Sequence, residues 1–212
     1  AIYAVAPGLF FRERAHEASL GLFVGRILAE EHHPEVAAEG LDRLERIYPG
    51  AHFLPFFRGL LCLRREEPEL ALKWFREAEP LQPAAESRAL AAFYCGYSLL
   101  LCEEWERSLP YLKRAAEYSP ANHTYRNQHG VACFRTGRYR EAAEEFSAAL
   151  EIDAGSAVDM ANLGLCYKHL GKPGAAADFL QTSLEMDPSL EFARESLREL
   201  KRNRTDSQEN SP

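Results

Sequence analysis

Small, apolar and polar residues recur along this chain with a period of about 34 residues, and each period contains two helical patterns. Apolar positions three and four residues apart predict amphipathic helices. A glycine marks the same place in each period, and successive glycines are separated by 34, 37, 34 and 34 residues. These glycines are Gly25, Gly59, Gly96, Gly130 and Gly164. A period of this length is typical of a helical repeat built from one helix pair per unit.

We count each repeat from the residue seven places before its glycine, which makes the glycine position 8. Helix A is then predicted at positions 1–14 and helix B at positions 17–30. Position 20 is small and position 24 is bulky and apolar in every repeat, so helices A and B should approach closely with the bulky side chain between them. Proline near position 32 ends helix B because its ring cannot continue the hydrogen-bond ladder. The repeats cover residues 18–51, 52–85, 89–122, 123–156 and 157–190.

Three segments lie outside the repeats. Residues 1–17 are interpreted as an N-terminal segment and a candidate remnant of an upstream domain, since the chain begins at Ala1 without methionine. Residues 191–203 predict a helix that caps the repeats with a polar outer side. Residues 204–212 are polar and are expected to be disordered. The extra residues 86–88 are expected to lengthen the third helix A by about one turn.

Together these markers resemble the tetratricopeptide repeat over residues 18–190. The fourth repeat carries five of the family's markers: Gly130, Tyr139, Ala142, Phe146 and Ala149. The resemblance implies an all-α fold, a right-handed α-solenoid of five helix pairs plus a C-terminal capping helix. Arg58 and His129 depart from the family at position 7, where an apolar residue is usual, and Leu44 fills a small-residue site in the first repeat.

In this family, helix A residues at positions 2, 5, 9, 12 and 13 line a concave groove. The second and third repeats carry apolar and aromatic residues there, and an exposed patch of that kind marks an interaction site. The resemblance therefore implies a groove for a partner, bordered by basic side chains. The candidate residues are Phe53, Phe56, Leu60, Arg64, Phe93, Tyr97, Asn127, Phe134, Arg135, Lys168 and His169. Two alternatives stay open: these side chains pack against neighbouring helices, or the N-terminal segment fills the groove in cis.

Composition narrows the classes of function. The net charge of −7 argues against a general nucleic-acid or anionic-membrane surface, which would be basic. The sequence contains no apolar run near the roughly 20 residues of a membrane span, and no signal peptide is visible. The five cysteines are odd in number and lack CxxC spacing, as expected for reduced thiols of a cytosolic protein. We therefore expect a cytoplasmic chain whose partner is a protein or peptide rather than nucleic acid or membrane, in an oligomeric state that the sequence does not indicate.

Candidate catalytic chemistry is sparse. His32 and His33 lack the HExxH spacing of zinc proteases, and Cys133 and Cys166 have no matching histidine pair. His129 lies at a helix-packing position and is expected to be a hydrogen-bonded core residue. Some family members clamp a C-terminal carboxylate with lysine, asparagine and arginine, but the corresponding positions here hold other residues. We expect no cofactor, no metal and no enzyme activity in these residues.

Three functions are compatible with this pattern. The first is a protein–protein interaction module that binds an apolar or amphipathic segment in the concave groove. The second follows from Ile2 to Gly8, which resembles the junction where YcaO-type proteins leave their ATP-dependent catalytic domain. That resemblance implies the non-catalytic C-terminal recognition region of a peptide-modifying enzyme. The third is a secretion or assembly chaperone, a class that also uses short tetratricopeptide arrays with apolar grooves.

Overall fold

The computed structural model describes residues 34–209, which form ten α-helices, one short 3-10 helix and no strand. The predicted first helix A and the N-terminal segment lie outside the described residues. The 3-10 helix, Glu79–Leu81, follows the third α-helix. The α-helices are α1 (Pro34–Ile47), α2 (Leu54–Arg64), α3 (Pro68–Ala78), α4 (Ala85–Leu101), α5 (Trp105–Tyr118), α6 (His123–Arg135), α7 (Tyr139–Ile152), α8 (Ala157–His169), α9 (Pro173–Met186) and α10 (Glu191–Glu209).

The helices fall into two compact units that divide between Ser119 and Pro120. In the first unit α2 pairs with α3 and α4 with α5, and α3 also packs on α4. In the second unit α6 pairs with α7 and α8 with α9, and α7 also packs on α8. The last helix, α10, packs on α9 and α8. Each helix pair therefore corresponds to one sequence repeat, and the fold is an all-α helical repeat.

In each of these four pairs, a glycine of helix A lies directly against the position-24 side chain of helix B. A Cβ atom added to the glycine would lie only 2.6–2.9 Å from that side chain, closer than van der Waals contact allows. The residues at positions 20 and 24 are buried in every pair. The predicted close approach of the two helices is thus confirmed. The contacts are Gly59 with Phe75, Gly96 with Leu112, Gly130 with Phe146, and Gly164 with Leu180.

We expect Gly130→Ala to lower the free energy of unfolding by about 1–3 kcal/mol, because the new methyl group overpacks the contact with Phe146. The matched control is Gly174→Ala on α9, since nothing lies within 4 Å of a Cβ at that glycine. The control should keep the parent's stability or gain about 0.5–1 kcal/mol from the better helix former. Urea denaturation followed by circular dichroism measures both. Equal midpoints for the two variants would contradict the packing argument.

The turn between helices A and B is the same in four repeats. The residue at position 15 adopts the left-handed conformation, with φ between 58° and 75°. The next backbone N–H then donates to the carbonyl at position 11 over 2.9 Å in all four turns, which is a Schellman motif. Glycine adopts this conformation without strain, whereas other residues are strained because Cβ comes close to the backbone. Position 15 is Glu66, Glu103, Gly137 and Gly171 in chain order.

Glu66→Gly is expected to raise the free energy of unfolding by about 1 kcal/mol, since the substitution removes left-handed strain while leaving the turn unchanged. The reverse change at the equivalent residue, Gly137→Glu, should lower stability by a similar amount. Midpoints of urea denaturation test the pair of variants. A lower midpoint for Glu66→Gly would mean that the glutamate side chain stabilises the turn by a contact that outweighs its strain.

Two helices differ in length from their counterparts. Helix α4 has 17 residues where α6 and α8 have 13, as expected from the extra residues 86–88. Helix α10 continues to Glu209, so the prediction of a disordered segment starting at residue 204 is wrong. The reason is that residues 204–209 contain neither glycine nor proline, and polar residues propagate a helix that packing has already started. Residues 210–212 lie outside the described part.

Candidate functional site

Four predicted groove residues lie in the core of the first unit. Phe53, Phe56, Leu60 and Phe93 are at most 9% exposed. The ring of Phe56 packs on that of Phe75, with centroids 5.4 Å apart. The expectation that these four side chains form an exposed apolar patch is therefore wrong. Nine of the eleven residues of α2 are buried, all except Arg58 and Arg64, so its apolar side chains face the core on most of its circumference.

The two other candidates of the first unit keep part of their surface exposed. Tyr97 is half-buried on α4 and stacks on Phe93 with ring centroids 6.0 Å apart and planes inclined by 20°. Arg64 is half-buried in the last turn of α2, where the helix dipole favours a cation. The first unit thus presents the Tyr97 ring and the Arg64 guanidinium at its surface, and the four apolar candidates lie in its core.

In the second unit, side-chain contacts join helix α8 to α6 on one side and to α10 on the other. Asp159 of α8 accepts hydrogen bonds from two side chains of α6, His123 Nε2 at 2.5 Å and Asn127 Nδ2. Lys168 of α8 donates to Glu199 of α10 at 2.6 Å. The family's groove positions on α6 and α8 hold six residues that we call the A-face: Val131, Phe134, Val158, Leu165, Lys168 and His169.

Asp159 is a fully buried carboxylate. Its cost of desolvation is offset by the two donors from α6 and by its place in the first turn of α8, where the helix dipole favours negative charge. The backbone N–H of Asp159 donates to Ser156 Oγ at 3.2 Å, which caps the helix. Asn127, a predicted groove residue, is therefore held by Asp159 as part of the scaffold. The sequence signal for this cluster was the serine followed three residues later by an acid.

We expect Asp159→Ala to cost about 1–3 kcal/mol of stability, because His123 and Asn127 lose a buried acceptor. Asp178→Ala is the control, since Asp178 is an exposed acid of α9 and its loss should change stability by less than about 0.5 kcal/mol. Both are measured by urea denaturation at pH 7. If the Asp159 variant unfolds at the same urea concentration as the parent, the cluster contributes nothing to joining the helices.

Two candidates of the second unit, Phe134 and His169, meet at one end of the A-face. The His169 ring stacks on Tyr139 with centroids 4.3 Å apart and planes inclined by 9°. Phe134 contacts the edge of His169 at 5.3 Å. Phe134 is half-buried and His169 is exposed. Sequence analysis identified Tyr139 only as a repeat marker, because it is the first residue of a helix B and lies outside the groove positions of the family.

The basic side chains differ in their surroundings. Arg135 is exposed in the last turn of α6. Lys168 is paired with Glu199, and its hydrogen bond holds the pKa of that carboxyl below its usual range, with smaller contributions from Arg202 and His169. Sequence analysis predicted a purely basic border. It missed Glu199 because this residue follows the last repeat.

His129 lies in the core between α6 and α7, as expected for its packing position. It is 6% exposed, and Nδ1 lies 3.3 Å from Glu145 Oε1, while Arg126 donates to the other oxygen of the same carboxylate at 3.1 Å. Burial raises the pKa of Glu145, but His129 and Arg126 together outweigh this effect and bring it below its usual range. The arrangement ties helix A to helix B and keeps the carboxylate ionised.

Within residues 34–209, no group of three or more His, Cys, Asp and Glu side chains is placed to hold a metal ion. Cys133 and Cys166 are both buried, and burial raises the pKa of the Cys166 thiol to about 12. That thiol therefore stays protonated and is a poor nucleophile. No helix in the described part is both long and apolar enough to cross a membrane.

Comparison with known proteins identifies the second unit. Residues 120–189 match the family model of the tetratricopeptide repeat. These residues are a tetratricopeptide repeat segment. Over a longer range, the structure of YrrB, described as a TPR protein with an unusual peptide-binding site, aligns with a TM-score of 0.73 and 22% identity, covering 84% of this chain and 89% of that one.

Two further proteins share this similarity. MamA from Desulfovibrio magneticus RS-1 aligns with a TM-score of 0.68 and 19% identity, covering 80% of this chain and 93% of that one. Sperm-associated antigen 1 of Mus musculus is 29% identical over 111 residues, which are 52% of this chain and 11% of that protein. The chain therefore spans about a tenth of the length of this curated relative. The structural likenesses extend the tetratricopeptide fold to the first unit.

Proposed function

We propose that this chain is a protein-interaction module in which the A-face of the second unit binds an apolar or amphipathic segment of a partner. Tetratricopeptide repeats present extended binding surfaces to protein and peptide partners. The segment 120–189 includes all six residues of the A-face. The proposal assigns recognition to this face and assigns no chemical step to it.

The exposed apolar side chains of the A-face carry the proposal. Val158 is 46% exposed although its neighbour in the next turn, Ala161, is fully buried. Val131, Phe134 and Leu165 are half-buried, and Leu165 also packs against the core cluster around Ala161. A face that only met water would carry polar residues at these positions, so their apolar character supports a partner that covers them.

The A-face lies on helices that contact each other directly. Asp159 joins α8 to α6 through hydrogen bonds, and α10 packs on α8 and α9. A partner that binds here does not have to order the helices, and a preorganised surface loses less entropy on binding. The rings of Phe134 and Tyr139 beside His169 supply an aromatic anchor at one end, the type of residue that dominates binding energy at interfaces.

A peptide is the ligand class that the comparisons favour. YrrB shares the fold and is described as having an unusual peptide-binding site. Shared fold is analogy, and the chemical argument rests on the A-face itself. Apolar side chains on the two neighbouring helices α6 and α8 suit a segment that offers two or three apolar residues in succession.

The test is selection of a random 12-residue peptide library on the full 212-residue chain, followed by affinity measurements on synthetic peptides. We expect peptides enriched in apolar and aromatic residues. Val158→Glu should weaken the binding of these peptides by about tenfold or more, because one central contact is lost. Val36→Glu on α1 is the matched control, because Val36 is 47% exposed and belongs to the other unit.

The comparison of the two valine variants decides the proposal. Glutamate is compatible with the first turn of α8, so Val158→Glu should keep the helical circular dichroism spectrum of the parent. Peptides that bind Val158→Glu as tightly as the parent would contradict the assignment of the A-face. A library that yields no binding peptide would contradict the peptide-binding function.

The other two functions stay predictions. The residues that resemble the YcaO-type junction, Ile2 to Gly8, lie outside the described residues. The chaperone function would use the same groove that is proposed here for a partner segment. The cytoplasmic location and the exclusion of nucleic acid also stay predictions, based on composition.

A further inference from the structure

Helix α7 presents a row of polar and small side chains along an open groove of about 500 Å³. Six residues of the helix line this groove, spaced three and four residues apart, so they form one stripe over about three turns. We call them the α7 row: Arg140, Ala143, Glu144, Ser147, Ala148 and Glu151. The opposite wall of the groove comes from the end of α8 and the turn after it, with Tyr167, Leu170 and Lys172.

The three charged side chains of the α7 row have no partner within residues 34–209. Arg140, Glu144 and Glu151 are exposed and form neither an ion pair nor a side-chain hydrogen bond there. Glu145, on another side of the same helix, pairs with Arg126 at 3.1 Å. Arg140 precedes Glu144 by four residues, and a base before an acid pairs less well on a helix than the reverse order. The row therefore keeps three charges that no described part of the chain satisfies.

The stability of the helix does not explain the placement of two of these charges. Arg140 is the second residue of α7, and Glu151 is the last but one. The helix dipole favours an acid at the start of a helix and a base at its end, so both side chains lie at the less favourable end. Opposite charges from another molecule would give both side chains a favourable partner.

The α7 row is complementary to itself in an antiparallel arrangement. Two antiparallel helices related by a twofold axis place residues at equal distances from the axis opposite each other, and every contact occurs twice. With the axis between Glu145 and Phe146, the six residues of the row form three such pairs: Arg140 with Glu151, Ala143 with Ala148, and Glu144 with Ser147. Opposite charges thus meet at the ends of the row, small side chains meet each other, and a hydroxyl meets a carboxylate.

We propose that the α7 row is the contact surface of a homodimer, in which α7 packs antiparallel on α7 of a second copy. Arg140 of each chain pairs with Glu151 of the partner subunit, and Ser147 donates to Glu144 of the partner subunit. The alanines of the row allow the helices to come close, because the distance between helix axes depends on the side chains at the contact. Lys172 adds a second base to each groove, so the bases and acids of the contact are equal in number.

The equivalent rows of three other helices lack this match. In α5 both end positions hold acids, Glu106 and Glu117, which would repel each other in the same arrangement. In α9 one end position is Gly174, which carries no charge. In α1 the central pair would join two acids, Glu39 and Asp42. The complementarity is therefore a property of α7 and does not follow from the repeat.

The dimer is expected to be weak. One pair of helices buries less than the roughly 1,600 Å² of a standard interface, and exposed ion pairs contribute little free energy. We expect a dissociation constant on the order of 100 μM. The contact uses no residue of the A-face, so the dimer does not depend on the proposed function.

The experiment is sedimentation equilibrium of the full chain over about tenfold either side of that constant, with a reductant that prevents disulfide formation. The proteins compared are the parent, Arg140→Glu, Glu151→Arg, the double variant Arg140→Glu/Glu151→Arg, and Arg198→Glu. Arg198 is an exposed base of α10, and its reversal changes the net charge as much as Arg140→Glu does. Both single reversals in α7 suit the helix dipole, so they should keep the helical circular dichroism spectrum of the parent.

We expect each single reversal in α7 to weaken the dimer by about tenfold or more, because two attractive ion pairs become two repulsive pairs. The double variant should recover most of the parent's affinity, since its charges are exchanged and pair again. Arg198→Glu should match the parent.

Four results would overturn the proposal. The parent could stay monomeric at the highest concentration, or the double variant could fail to recover the affinity that the single reversals lose. Arg198→Glu could weaken the dimer as much as Arg140→Glu, which would indicate an effect of net charge alone. A dimer that neither single reversal weakens would form through another surface.

Discussion

The absence of a side chain at one position of helix A determines how this fold is built. A Cβ atom added at Gly59, Gly96, Gly130 or Gly164 would lie 2.6–2.9 Å from a ring or a leucine of helix B, which would have to shift. The contact fixes which side of helix A points to its partner helix. One residue further along, the helix has turned by about 100°, so position 9 points away from helix B. The surface available to other helices or to a ligand follows from this one contact.

The helix pairing could be predicted from sequence because its causes act within one repeat. Gly130, Ala142 and Phe146 lie within 17 residues of each other and describe a single contact between two adjacent helices. The burial of Phe56 could not be predicted in this way. A repeat position specifies which way a side chain points from its helix. It does not specify whether other parts of the chain bury that side chain. Apolar residues surround most of α2 and indicate a largely buried helix, but the rule based on repeat positions did not use this signal.

The candidate site stays a prediction, and its residues were chosen by repeat position. Phe134 and His169 were named because positions 12 and 13 of helix A are groove positions in the family. The acids that organise the site, Asp159 and Glu199, were missed. Asp159 is at a position that the family rule does not use, and Glu199 lies beyond the last repeat. Polar contacts between repeats depend on three-dimensional neighbours, whereas the glycine contact depends on spacing along the chain.

The residues that hold each hairpin together and the residues that face a partner lie on different sides of the same helix. In α8, Gly164 faces Leu180, while Val158 and Leu165 belong to the A-face. An exposed position such as Val158 can therefore change with little effect on the glycine contact, whereas Leu165 also packs against the cluster that contains Leu180. Such a backbone can diverge in evolution one exposed residue at a time, and related chains with the same glycines can recognise ligands that have nothing in common.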